Sequence, residues 1–398
     1  MSSEYLISLL KKKGTGAKMG QSLTSDELGH VRQIILDSTH SLSTRATLVT
    51  ALKMLPNTLE EQLFLDQLEL PDILNQAFDG TAEELDSINQ QIIQYIDLSE
   101  ADMIAGIDYL FDQSIPNHKK AIFLEALRLK RETSLENKIA YDKFYARSYH
   151  HSVSTPLLID LSNPYDGFTR NPHYLLKLAP LLASIGFPTY IHGIDNIGPK
   201  FGLNFNKLLD NHNKNPFQSI SQCIADLEDP DVAWTYIDQS VFFPDLFALK
   251  QLRIDMVKRP FISTIEKLLS PLRAERNYII TGYTHPPYKE KMATLISESA
   301  YFDGGLIVRG VEGSIQLPLD RKSRIYPLNN NDFFINPTII DTITFSSEES
   351  HCLVYMAAVF LHNLELMDIT HSVPLLHESI ISGRHDNHWM KGCAHEPC

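Results

Sequence analysis

The sequence predicts an all-α domain packed beside a mainly parallel α/β domain. Three observations predict this. The first 150 residues carry helical periodicity and no β-branched runs. After Tyr149, short apolar runs alternate with helical stretches, and each run ends in a loop of Gly, Pro and Asn. From Pro244 to Leu272 more helix interrupts that alternation. With 398 residues, 43% of them hydrophobic, the chain is long enough to bury two such cores.

In the helical part, Leu28, Val31, Ile34 and Ile35 fall close to one face of a helix. Thr24 with Glu27 three residues on is a capping-box signature. The region also repeats itself. Residues from Leu23 realign without gaps on residues from Leu98, placing Thr24 on Ser99, Ala46 on Ala121, Ala51-Leu52-Lys53 on Ala126-Leu127-Arg128, and Thr58 on Thr133. Each copy reads as cap, helix, short turn and second helix, a duplicated hairpin at about 23–60 and 98–135.

Four apolar runs mark the α/β part: Pro156–Leu161, Pro188–Ile191, Tyr278–Ile280 and Leu306–Val308. Runs this short and apolar suit strands buried on both faces, with Tyr174–Ser184 and Lys289–Ser297 as helices between them. The predicted layout is a helical domain over 1–150, an α/β domain over 151–240 and 275–390, a helical excursion over 241–274 that returns to the helical domain, and a mobile tail over 391–398. Ligands of such sheets bind beyond the strand C-termini, where the four polar loops would sit.

Charge narrows the partners. The net charge of −14 excludes a wholly basic, nucleic-acid-coating protein. The stretch from Ser240 to Asn330 nevertheless carries +4, leaving −18 elsewhere. Lys250, Arg253, Lys258 and Arg273 within it are candidates for sequence-independent nucleic-acid contact through phosphates. Four scattered cysteines do not make a disulfide scaffold, and Met1–Leu10 lack a basic lead into an apolar stretch. No apolar run reaches the ~18 residues of a membrane helix. A cytoplasmic protein with no membrane partner is expected.

Two further clusters carry weaker signals. Gly14-Thr15-Gly16-Ala17-Lys18 follows no strand and lacks the GK[ST] ending of a phosphate loop, so it reads as a flexible basic lead. His385, His388, Cys393, His395 and Cys398 are soft metal ligands whose spacing matches no standard zinc pattern. No metal or cofactor is assigned from the sequence.

Five segments in order, YDGFTRNP (165–172), HGIDNIGPKFG (192–202), KRPFISTIEKLLSPL (258–272), TGYTHPP (281–287) and RGVEGSIQLPLDR (309–321), resemble anthranilate phosphoribosyltransferase and its relatives among the family-3 glycosyltransferases. The similarity runs from about Leu98 to Ser382, with the anthranilate phosphoribosyltransferase-like paralogues the best match. It implies a homodimer through the helical domain and a phosphorylated or anionic ligand in a cleft between the domains. Ligand candidates are Asn163, Asp166, Gly167 and Arg170 on the first loop and His192, Gly193, Lys200 and Gly202 on the second, which keeps the family's spacing. Arg259, Thr284, His285, Arg309 and Glu312 complete the set. The departures matter as much. The pyrophosphate loop reads Ser162-Asn163-Pro164-Tyr165-Asp166-Gly167, with a single glycine and a proline that donates no N–H. Ile194 replaces the family's Asn, Phe247 falls where its anthranilate-binding Arg is expected, and Ile315-Gln316 fall on its Mg²⁺-holding Asp-Glu pair. A pentosyl or phosphoribosyl transferase fold without the anthranilate reaction is therefore expected, with a non-catalytic nucleic-acid-binding homodimer as the alternative.

Overall fold

The computed structural model describes residues 3–13, 20–67, 81–328, 333–335, 337–340 and 343–394. The chain divides into two compact units, Met1–Tyr145 with Ala248–Ile265, and Ala146–Phe247 with Glu266–Cys398. Gly14–Lys18, His395 and Cys398 lie outside the described residues.

The first unit contains α1 (Ser3–Lys13), α2 (Ser25–Leu36), α3 (Leu42–Met54), α4 (Leu59–Gln67), α5 (Glu83–Ile93), α6 (Glu100–Phe111), α7 (Asn117–Lys130) and α8 (Ser134–Arg147). The repeat extends beyond a hairpin to a third helix, since α2-α3-α4 and α6-α7-α8 begin at corresponding positions of the two copies. Local chemistry repeats with it. Thr24 and Ser99 cap their helices by accepting the N–H of Glu27 (3.3 Å) and Asp102 (3.1 Å). Asp37 and Asp112 accept the N–H groups of Thr39 and Ser114 in the following turn, both at 2.8 Å. The central helices α3 and α7 pack together and are buried around most of their circumference, as inner helices must be.

The buried anchor of each copy is a glutamate that periodicity does not single out. Glu61 and Glu136 are fully buried. Glu61 accepts the N–H of its N-cap Thr58 (2.9 Å), the N–H of Leu23 ahead of α2 (3.0 Å) and the ammonium of Lys13 (2.8 Å). Glu136 repeats this with Thr133 (2.7 Å), Leu98 (2.9 Å) and Lys130 (2.8 Å). Burial works to raise the Glu61 pKa, but Lys13 and the two backbone N–H groups outweigh it and hold the carboxyl below its usual range. The returning segment Lys250–Met256 joins this core: the Thr44 hydroxyl donates to the Asp255 carbonyl (2.8 Å), and Val257 lies among the side chains of α2 and α3.

The second unit is a seven-stranded sheet in the order β4-β3-β2-β6-β7-β8-β9. Its strands are β2 (Leu158–Ser162), β3 (Thr189–Gly193), β4 (Trp234–Asp238), β6 (Asn277–Gly282), β7 (Gly304–Val308), β8 (Ser323–Pro327) and β9 (Phe333–Ile335), with β1 (His151–Ser152) and β5 (Leu272–Arg273) forming a separate parallel pair. β4 to β7 are parallel, and the four predicted runs are adjacent strands at the centre. Every residue of β2, β3 and β4 is buried, which is why these strands read as apolar runs. β8 and β9 add antiparallel to the edge. The helix Glu348–Asn363, buried from Cys352 to Leu361, fills the core beside the sheet.

The described part of the expected loose tail, residues 391–394, is packed. Trp389, on the helix Arg384–Lys391, stacks on Trp234 with centroids 5.5 Å apart, and the Trp234 indole donates to the His388 carbonyl (2.7 Å). The Lys214 ammonium caps this helix through the carbonyls of Gly392 (2.6 Å) and Met390 (3.2 Å), and Cys393 is fully buried. His388 and His385 face the Val232 and Lys177 carbonyls, so among the described residues these soft ligands do not converge. Among the described residues no helix is long and apolar enough to cross a membrane.

Replacing Glu61 or Glu136 by Ala removes a buried partner from a lysine and two backbone N–H groups. Each substitution should lower the free energy of unfolding by about 3–5 kcal/mol, the usual consequence of breaking a buried pair. Exposed Glu100→Ala should change it by no more than about 0.5 kcal/mol in the same urea titration.

Candidate functional site

Because β2 and β3 are neighbours in a parallel sheet, the loops leaving their C-terminal ends run side by side. Phe168 and Leu203 pair across them, N–H to carbonyl at 2.9 and 2.8 Å, and the Gly202 N–H donates to the Asp166 carbonyl (2.9 Å). Gly167 has φ +73° and Gly202 sits directly against Phe168; a Cβ at either would collide with the opposite backbone. Two glycines of the candidate set thus serve the pairing of the loops.

Beyond that pairing the first loop turns three successive N–H groups toward one point, and a carboxylate fills it. Glu312 accepts from the backbone of Thr169 (3.2 Å), Arg170 (2.8 Å) and Asn171 (3.1 Å). The Thr169 hydroxyl (3.3 Å), the Asn171 amide (3.1 Å) and the Lys200 ammonium (3.0 Å) add to them. Lys200 also donates to the Gly167 carbonyl (3.0 Å). Convergent backbone N–H groups of this kind form an anion-binding nest. The Glu312 side chain is 1% exposed. Burial works to raise its pKa, yet the Arg170 N–H, Lys200, the Asn171 amide and the Thr169 N–H together hold it well below the usual carboxylate range. Glu312 itself adopts φ +52°, a left-handed backbone disfavoured for a residue with a Cβ.

The residues after Glu312 finish the frame. The Ile315 N–H donates to the Asn163 side-chain oxygen (3.1 Å), and Ile315 is fully buried. Gln316 accepts from the Tyr174 N–H (3.0 Å) and donates to the Pro172 carbonyl (2.9 Å). His173 packs against the ring of Phe168, centroids 4.2 Å apart, and burial pushes its pKa down to about 3, so it stays neutral there.

His192 lies elsewhere than expected. It is fully buried beneath the strand ends, with Nδ1 2.5 Å from the Tyr165 hydroxyl and Nε2 3.2 Å from Asp160. Asp160 also accepts from Tyr190 (3.1 Å) and from the Ser270 hydroxyl. Gly193, the last residue of β3, abuts Tyr236, and the Ile194 that follows it packs with Tyr165, Ile197 and Phe247 into a small apolar cluster.

No family model matches the chain. An uncharacterized protein of Aquifex aeolicus (strain VF5) is 24% identical over 254 residues, 64% of this chain and 74% of that protein. Among solved structures, anthranilate phosphoribosyltransferase (TrpD) from Thermus thermophilus superposes with a TM-score of 0.63 at 16% identity, covering 76% of this chain and 97% of that one. The Saccharomyces cerevisiae enzyme in complex with PRPP and Mg also gives 0.63, at 14% identity, covering 77% and 96%. The chain has the anthranilate phosphoribosyltransferase fold.

The resemblance to that family implies a Mg²⁺ held by adjacent carboxylates. The residues here do not fit the ion. Ile315 has no donor, Gln316 is committed to backbone on both sides of its amide, and the Glu312 oxygens are taken up by six donor groups.

Other candidates divide. Asn163, Asp166, Gly167, Lys200, Gly202 and Glu312 come together, and Thr284 touches Gly313 beside them. Arg170 contributes its backbone N–H, while its side chain, like those of Arg309 and His285, is exposed. Arg259 is half-buried and belongs to the first unit. The nucleic-acid candidates of the basic stretch are largely covered. Arg253 (3% exposed) and Lys258 (6%) are buried, Lys250 and Arg273 are half-buried, and the Arg273 guanidinium stacks 5.1 Å over Tyr301. Thr169 and Asn171 carry no signal in the sequence because two of their donors are backbone, which has no residue signature.

Since the folded-state pKa of Glu312 is depressed, its contribution to stability is complete above the unfolded value of about 4.3 and is lost as pH falls from there toward the folded value. Urea titrations of the parent and Glu312→Gln should therefore differ by about 1.5–3 kcal/mol at pH 7, and the difference should begin to shrink only as pH falls below about 4. A pH-independent difference would remove the charge from the explanation.

Proposed function

We propose that this protein binds a phosphorylated or otherwise anionic ligand at its strand-end loops without carrying out metal-dependent transfer of phosphoribose to anthranilate. The observation that carries this reading is the commitment of Ile315 and Gln316. Where the resemblance calls for two carboxylates and a cation, one side chain is buried hydrocarbon and the other is an amide spent on Pro172 and Tyr174. The Phe247 cluster supports the same conclusion. An aromatic carboxylate would meet Ile194, Ile197 and the ring of Tyr165 near this residue instead of a guanidinium. Support for an anionic ligand comes from the exposed side chains of Arg170 and Arg309 on loops after parallel strands, beside Lys200 and the backbone N–H groups of 169–171, which already hold the Glu312 carboxylate.

With phosphoribosyl pyrophosphate, anthranilate and Mg²⁺ the protein should show no anthranilate-dependent consumption of the donor. Turnover in the ordinary range of about 1–10³ per second would overturn the proposal. Thermal unfolding against nucleotides, sugar phosphates, phosphoribosyl pyrophosphate and oligonucleotides should give at least one small phosphorylated compound that raises Tm equally with and without Mg²⁺. Stabilisation by oligonucleotides alone, declining with salt, would point to nucleic acid instead.

A further inference from the structure

We infer that Glu312 is a built-in occupant of an anion site: its carboxylate takes the place of a phosphate group in the nest made by residues 169–171 and Lys200, and thereby occludes it. The inference rests on reading these loops as an anion site, and it adds what holds that site closed.

Three consecutive backbone N–H groups, a hydroxyl, a side-chain amide and an ammonium meet at a single carboxylate. Three N–H groups and a cation are also what a phosphate oxyanion requires, since a nest recognises concentrated negative charge rather than a particular atom. Thr169, Arg170 and Asn171 belong to an exposed loop where water could satisfy each N–H separately. They instead point inward together, which is the conformation of a loop with its anion bound.

Glu312 is held there at a cost. Its backbone is left-handed at φ +52° and is followed by Gly313 at φ +83°. A left-handed conformation in a residue with a Cβ is retained only where surrounding interactions over-determine it. Here those interactions are the bonds of its own carboxylate. Remove the carboxylate and two things follow: the strain loses its compensation, and a positively polarised pocket beside Lys200 is left without a counter-charge. The pocket would then select small, compact anions, with phosphate and the terminal phosphate of pyrophosphate fitting better than a monoanion of low charge density.

The same geometry explains why the parent chain should ignore such anions. An intramolecular carboxylate competes at a high effective concentration, in the millimolar range or above for a short tether, and it needs no translational entropy to bind. Ligands that bind the parent chain through the exposed Arg170 and Arg309 side chains do not have to displace it.

The test is isothermal titration and thermal unfolding of the full chain with sodium orthophosphate and sodium pyrophosphate, without Mg²⁺, for the parent, Glu312→Ala and the double variant Glu312→Ala/Lys200→Ala. Glu312→Ala should be less stable than the parent, should recover part of the lost Tm on addition of either anion, and should bind it at least about tenfold tighter than the parent does. The double variant should lose that recovery, which separates a specific site from a general salt effect. If Glu312→Ala does not fold, Glu312→Gln replaces it: the neutral amide keeps the volume, and phosphate should raise its Tm but not that of the parent. Folded variants that bind neither anion would overturn the inference. So would a parent chain that binds orthophosphate as tightly as Glu312→Ala, because Glu312 would then not be competing. These outcomes are separable from failure of the broader reading: the former leaves ligand binding by the parent untouched, and the latter would affirm an anion site while removing its internal occupant.

Discussion

A carboxylate taken out of water has to collect donors for both its oxygens, and backbone N–H groups supply them as well as side chains do. Three glutamates impose this condition. Glu61 gathers Leu23, Thr58 and Lys13; Glu136 gathers Leu98, Thr133 and Lys130; Glu312 gathers Thr169, Arg170, Asn171 and Lys200. A buried ion pair is by itself weak grounds for stability, because desolvation offsets most of its attraction. The backbone changes the balance. The N–H partners of Glu61 and Glu136 sit where the chain enters a helix, and those of Glu312 lie within the loop after β2, so each carboxylate fixes the path of the chain as well as its own charge. Losing it would orphan several donors at once, and the orphaned groups would be the ones that set the loop geometry.

The duplicated helices show which part of this device is demanding. The two copies agree in every amide partner and in the threonine cap, yet their lysines come from unrelated places. Lys13 is on α1, ahead of the first copy, whereas Lys130 ends α7 within the second, where the first copy has Leu55. Amide geometry is short-ranged and directional, so it has to be rebuilt identically. A compensating charge on a long, flexible side chain can arrive from any neighbouring element.

Much of the architecture is legible in the residues because burial on two faces leaves a pattern. The runs at 158, 189, 278 and 306 are apolar without alternation and form the central parallel strands. β4 is not legible because WTYID mixes polar and aromatic side chains, though all five are buried. β8, which lies between β7 and the edge strand β9, is hidden because it is half-exposed: Arg324 and Tyr326 alternate with buried Ser323, Ile325 and Pro327. Of the site, Lys200 and Glu312 are legible individually, but their pairing across 112 residues is not. His192 reads as a ligand because spacing along the chain does not reveal which way a strand-end side chain points. Arg253 and Lys258 read as surface charge because a run of cations looks solvated until its environment is known.

The positions that depart from the anthranilate phosphoribosyltransferase pattern do not read as independent losses. Ile194 and Phe247 fall where a polar group and a cation are expected, and they lie in one apolar cluster with Ile197 and Tyr165. Either change alone would leave a polar group facing hydrocarbon, at a cost of about 1–3 kcal/mol if it remained unpaired; together they pack. Ile315 and Gln316 behave likewise, because the Ile315 N–H and both ends of the Gln316 amide find partners on the first loop, at Asn163, Tyr174 and Pro172. A surface on which each departure is matched by a neighbour is under the same packing and hydrogen-bonding constraints as any core. The strand-end loops of this chain therefore hold together through contacts of their own, in which Glu312 supplies the negative charge their N–H groups and Lys200 require.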